Sequence, residues 1–80
     1  MITVFEKLGC PYCAKARKCL RSNGVKFESV RCKDQDELVG KIKERKLRVP
    51  KILTFPRVFT GNRLIGGADD LARKISNKKI

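Results

Sequence analysis

The chain has 80 residues, with 20 Lys and Arg against 8 Asp and Glu, a net charge of +12, and no histidine. That length suits one small domain, expected to span residues 1–80, and 41% hydrophobic with 35% charged residues excludes a disordered or fibrous chain. The lack of histidine excludes histidine metal ligands and a Cys–His nucleophile pair.

The first run, "ITVF" (Ile2–Phe5), is β-rich and reads as a strand that starts almost at once. It lacks the basic n-region and long apolar core of a secretory signal. No apolar run reaches the ~20 residues of a membrane span. The expectation is a cytoplasmic, reducing setting with no membrane partner. There a C-x-x-C is more often redox-active or metal-binding than structural.

After Gly9, Cys10-Pro11 looks like a helix entrance, since proline is at home in the first helical position. The helix should run from Pro11 to Ser22 and stop at Asn23-Gly24. "VKFESVRC" (Val25–Cys32) alternates as a strand, with Val25, Phe27 and Ser29 on one side. "DQDELVGKIKERKL" is a second helix: Asp34 with Glu37 three residues on resembles a capping box. Its acids come first and its bases last, as the helix dipole favours. Leu38, Val39 and Ile42 should face the core. "RVFT-GN-RLI" reads as a hairpin turning at Gly61-Asn62. "GGADDLARKI" closes the chain with a third helix, capped by Asp69 or its neighbour, and "SNKKI" should be frayed. Strand–helix–strand implies a parallel pair with a right-handed crossover, to which the hairpin adds antiparallel strands. The expected fold is α/β, a four-stranded mixed sheet with three helices. A C-x-x-C at its first β–α junction reads as a thioredoxin-like redox site.

"GCPYCAKARKC" gathers three of the four cysteines into eleven residues. Cys10 and Cys13 are one helical turn apart, close enough to form a short disulfide. Cys10 sits where unpaired N–H groups and the positive end of the dipole favour a thiolate, with Lys7 and Lys15 adding to the field. Cys13 shares the side of Ala16 and Leu20 and should be buried. This asymmetry makes Cys10 the attacking sulfur and Cys13 the resolving one. Tyr12 points outward as one wall of a groove, or is simply an exposed aromatic. Cys19 lies about 900° further round the helix than Cys10, so it belongs to another side and reads as a buried structural thiol. Cys32 reads as a spare, exposed thiol. One close pair plus two scattered singles is a poor zinc set, so no metal is expected.

The run "FEKLGCPYCAKA" resembles the glutaredoxins, and "TFPRVFTGNRLIGGADDL" (Thr54–Leu71) is similar to their T-V-P…G-G-x-[DS]-D-L block. The resemblance covers nearly the whole chain. It implies a thioredoxin-like fold and glutathione as co-substrate. By position, Lys7 should bind the glycine carboxylate and Tyr12 should flank the tripeptide. Phe55 should pair its backbone with the cysteinyl unit, beside Thr54 and a cis Pro56. Gly67, Ala68 and Asp69 should hold the γ-glutamyl end. The chemistry suits glutathione: a lysine for one carboxylate, helix N–H groups for the other, and an aspartate for the ammonium. Strand addition suits an extended peptide. Arg45, Lys46 and Arg48 compete for a further contact to the glycine carboxylate. Three departures stand out. Phe55 replaces the usual Val, Ala68 stands where several relatives have Cys, and the stretch from Leu47 to Phe55 is longer than in typical bacterial members.

The implied activity is reduction of protein disulfides and protein–glutathione mixed disulfides by a monomer, with ribonucleotide reductase among the clients the family suggests. Two other readings differ in kind. One is an electron donor recycled by thioredoxin reductase. The other is a basic module that binds nucleic acid or an acidic protein through the +12 charge. Lys7 and "GGADD" argue against the first. The lack of an aromatic stacking platform argues against specific nucleic-acid binding. Iron–sulfur carriage is disfavoured by Pro11, because the family's cluster binders mostly lack proline there.

Overall fold

A computed structural model describes residues 1–77. The elements are β1 (Ile2–Glu6), α1 (Pro11–Ser22), β2 (Phe27–Arg31), α2 (Gln35–Glu44), β3 (Arg57–Thr60), β4 (Arg63–Gly66) and α3 (Ala68–Ser76). They build one sheet in the order β2-β1-β3-β4. β1 and β2 are parallel, whereas β3 runs antiparallel to both β1 and β4. This is the mixed four-stranded sheet with three helices expected from the chain order.

β1 alternates its side chains across the sheet and so builds both halves of the core. Ile2 and Val4 join Ala16 and Leu20 of α1, Val58, and Ala68 and Leu71 of α3 on one face. Phe5 joins Phe59, Cys32, and Leu38 and Ile42 of α2 on the other. Phe5 and Phe59 meet edge to face, with ring centroids 5.5 Å apart, a favoured aromatic geometry. All five β1 residues are buried. Among them Glu6 pairs with Arg17 of α1 at 2.6 Å. That ion pair ties the end of β1 to the helix that Cys10 caps and that carries Cys13.

α1 has the expected bounds: Cys10 is the N-cap, Pro11 opens the helix and Asn23 closes it. Asp34 caps α2 as expected, its carboxylate accepting from the Glu37 N–H at 2.9 Å. Leu38 and Ile42 are buried, while Val39 is only half-buried. β2 is shorter than expected and lies at the sheet edge. Phe27 packs toward α1, Val30 packs toward α2, and Ser29 is exposed, so the expected Val25, Phe27 and Ser29 face is incomplete. An edge strand has one neighbour fewer to cover it.

Of Asp69 and its neighbour, it is the neighbour, Asp70, that caps α3. Gly67 is its N-cap, and the Asp70 carboxylate accepts from the Gly67 N–H at 3.1 Å. The acid that closes the helix thus comes from inside the first turn. Ser76 is still helical and Asn77 is the C-cap. The remainder of the expected frayed tail, 78–80, lies outside the described residues. Among the described residues, no helix is long and apolar enough to cross a membrane.

Candidate active site

Cys10 is held in extended backbone (φ −95°, ψ 110°) immediately before Pro11 turns the chain into α1. Its sulfur accepts from the Cys13 N–H at 3.2 Å. The first backbone N–H groups of a helix have no partner within it. One of them therefore points at the Cys10 sulfur, where it stabilises negative charge. On the other side, the Cys10 thiol lies 3.8 Å from the Phe55 carbonyl. Both cysteines are free thiols.

Cys13 is fully buried beneath this arrangement. Burial pushes its thiol up to about 12, and the hydrogen bond with Cys10 adds to the rise, partly offset by the Lys7 backbone. Cys13 thus keeps its proton while Cys10 faces the solvent-accessible rim. The asymmetry expected from helix position is present as a difference in burial.

The loop opposite the dithiol contains the Phe55–Pro56 cis peptide bond. Thr54 is exposed, Phe55 half-buried and Pro56 buried. A cleft of about 460 Å³ joins Thr54 and Phe55 to Lys7, Leu53 and the start of α2 at Asp34, Gln35 and Asp36. Lys7 and the Phe55 loop therefore come together as expected. Arg45, Lys46 and Arg48 do not line this cleft. Arg45 instead grips Glu28 through both guanidinium nitrogens at 2.7 and 3.0 Å and lies over the Phe5 ring. It is α2's beginning that reaches the site, and Gln35 donates to the Leu53 carbonyl at 3.0 Å. Tyr12 is exposed beside Cys10, as its place on the helix requires.

Gly67 stands against Pro56. A methyl group at Gly67 would lie 3.8 Å from the Pro56 oxygen and 3.1 Å from the Arg57 guanidinium. Ala68 is buried and Asp69 is exposed on the first turn of α3. The two distant motifs of the sequence thus meet at one end of the sheet's central strands, β1 and β3.

Arg57 is the residue that sequence reading missed. It is buried, and its guanidinium donates to the Pro56 carbonyl at 3.0 Å and to the Thr54 hydroxyl at 3.3 Å. Burial lowers its pKa, and Asp70 partly restores it. Arg57 fastens the proline loop from behind and fills the space below Gly67. Only its place after the proline, in a strand otherwise made of Val58, Phe59 and Thr60, marked it in the sequence. The other two cysteines exchange their expected places. Cys32 is buried against Phe5 and Leu38, and burial raises its pKa. Cys19 is only half-buried.

A strand leading into a helix that opens on two thiols, faced by a cis-proline loop on the adjacent strand, is the site of a thioredoxin-fold disulfide oxidoreductase. Within that class, the Glutaredoxin family model matches residues 2–65, and the chain belongs to the glutaredoxin family. It is 37% identical to Glutaredoxin 1 of Rickettsia bellii over 70 residues, 88% of this chain and 71% of that protein. The solution structure of a glutaredoxin from Brucella melitensis superimposes with a TM-score of 0.70 at 33% identity, covering 98% of this chain and 80% of that one. A buckwheat glutaredoxin–glutathione complex shares the fold, with a TM-score of 0.72 at 24% identity over 98% of this chain and 70% of that one.

Proposed function

We propose that the chain is a glutathione-dependent thiol–disulfide oxidoreductase in which Cys10 attacks and Cys13 resolves. The observation that carries this reading is the Cys10 sulfur at the mouth of α1, accepting from the Cys13 N–H and facing the Phe55 carbonyl. In deglutathionylation the Cys10 thiolate attacks the glutathione sulfur of a mixed disulfide. A Cys10–glutathione disulfide forms, and the client leaves as a thiolate that takes up a proton. A second glutathione thiolate then attacks the glutathione sulfur on Cys10. Oxidised glutathione departs and the Cys10 thiolate returns. In the dithiol route Cys10 attacks a client disulfide, and Cys13 displaces the client to leave a Cys10–Cys13 disulfide. Two further glutathiones reduce it.

The tripeptide is read as lying along the Phe55 backbone beside Thr54 and Pro56. Lys7 takes its glycine carboxylate and Tyr12 flanks it. The N–H groups at Gly67 and Ala68 receive the γ-glutamyl carboxylate, and Asp69 the ammonium. The support is the Phe55 carbonyl 3.8 Å from the Cys10 thiol, the cleft Lys7 shares with Thr54 and Phe55, Gly67 against Pro56, and the fit of each residue to the charge it would meet. The clients are disulfide-containing and glutathionylated proteins, with ribonucleotide reductase one example, in a reducing cytoplasmic setting and with the enzyme acting as a monomer.

The test couples glutathione and glutathione reductase to a small mixed disulfide. Cys10→Ser should abolish turnover. Cys13→Ser should retain deglutathionylation and lose reduction of protein disulfides. Turnover that survives in Cys10→Ser would remove the assignment.

A further inference from the structure

Two clefts open around Leu8, away from the Phe55 loop along which glutathione is read to lie, and Lys7 stands at the border between the two regions. One, of about 330 Å³, is lined by Cys10 itself and extends past Leu8 to Arg17 and Arg31. The other, of about 520 Å³, shares Lys7, Leu8 and Arg31 and adds Lys33 and Glu37. They form one surface that begins at the nucleophile and runs along the end of β2.

The charge on this surface is one-sided. Glu6 and Arg17 neutralise each other. Lys7, Arg31 and Lys33 take part in no ion pair among the described residues, and all three are exposed. Glu37 lines the second cleft with them, while Asp34 and Asp36 lie on the far side of Lys7, in the cleft it shares with Phe55. In their midst is Leu8, 75% exposed and two residues before Cys10. A single exposed leucine is ordinary on a protein surface, but its place two residues from the nucleophile, inside a cationic rim, gives it the layout of an apolar contact ringed by polar groups.

We infer that this face docks the client polypeptide, and that it selects a segment carrying acidic side chains and an apolar residue next to the client's cysteine. The inference rests on the oxidoreductase reading and extends it to partner choice. Glutathione bound along Phe55 leaves a client joined to it no route over that loop. The client chain must cross the remaining walls around Cys10, and the cationic face with Leu8 is one of them. Carboxylates on the client meet Arg31 and Lys33, and its apolar side chain covers Leu8. Such complementarity acts mainly on encounter and on rejection of the wrong partner. It also gives part of the +12 charge a use that binding one small tripeptide does not require.

The test compares two peptides, each with a central cysteine in mixed disulfide with glutathione. One flanks it with Leu and aspartates, the other with Leu and lysines. The mixed disulfide of β-mercaptoethanol and glutathione is the control. At low salt the wild type should turn over the acidic peptide about five- to tenfold more efficiently than the basic one, the scale of a few exposed charge pairs. Salt at roughly 0.5 M should bring the ratio toward one. Arg31→Glu with Lys33→Glu should remove or reverse the preference while keeping the control rate within about twofold. Arg31→Gln with Lys33→Gln should show the same loss more weakly. Equal rates for the two peptides in the wild type overturn the inference, as does a preference that survives both double variants. Duplex DNA that blocks the acidic peptide in the wild type, more strongly than a free aspartate peptide does and only with Arg31 and Lys33 present, reassigns the face to nucleic acid. A wild type inactive on the control disulfide overturns the oxidoreductase reading itself.

Discussion

Cys13 and Cys32 lie in the interior, at 0% and 1% exposure. In each, burial is the largest cause of a raised pKa, with Cys13 at about 12 against an ordinary 9.0. The unfolded chain ionises both thiols near 9, whereas the folded chain keeps them protonated. Folding stability from Cys13 is therefore fully present below pH 9 and is lost as pH rises from 9 toward 12, and Cys32 adds a loss of the same sign above pH 9. The urea midpoint should fall across that window. Cys13→Ala should make the fall shallower, although it lowers the midpoint at pH 7 by leaving a small cavity. Every other ionisable group is common to both proteins, so the difference between the two curves isolates the thiol. Parallel curves would show that Cys13 is not held protonated by its burial.

Helix and strand boundaries followed the sequence where a residue dictates its own backbone. Pro11 after Cys10, Asn23-Gly24 and Asp34 mark ends through covalent geometry or a local hydrogen bond, and α1 and α2 begin where those residues place them. Positions decided by partners far along the chain were less legible. Arg45 was free to point at the site until Glu28 captured it, and Cys32 is buried because Phe5 and Leu38 happen to cover it. Arg57 could not be read as a support for Thr54 and Pro56 without knowing that β3 turns it behind the loop. Gly66 carries a constraint that only the folded backbone reveals. Its φ of 129° is open to glycine, and a methyl group there would sit 2.3 Å from the Asp70 carboxylate. That carboxylate is the one holding the Gly67 N–H. Gly66→Ala therefore strains the backbone and dislodges the cap, at a cost of roughly 1–3 kcal/mol for the strain alone. It should lower the melting temperature and raise the KM for glutathione together, because α3 begins at the γ-glutamyl end of the proposed groove. A lower melting temperature with unchanged KM would place glutathione elsewhere.

At the scale of the whole molecule, the 80-residue chain carries 20 cationic side chains against 8 acidic ones. A few are paired: Arg17 with Glu6, Arg45 with Glu28, and Arg73 with Asp70 at a longer 3.8 Å. The excess repels itself in the folded state and attracts glutathione, which carries two carboxylates and one ammonium. Both effects weaken as salt shortens the Debye length from ~30 Å at 0.01 M to about 10 Å at 0.1 M. Added sodium chloride should therefore move stability and turnover in opposite directions. Each ~1 kcal/mol of relieved repulsion raises the melting temperature of a domain this size by about 4–8 °C. Over the same range kcat/KM for the small mixed disulfide should fall roughly two- to fivefold, because the field no longer concentrates the anion at Cys10. The opposition is what makes the measurement decisive. A protein that lost activity by loosening would lose melting temperature with it, whereas screening of a functional field leaves a more stable and slower enzyme. Turnover that is indifferent to salt while stability climbs would show that the +12 charge does nothing for glutathione, and that its use is confined to larger partners.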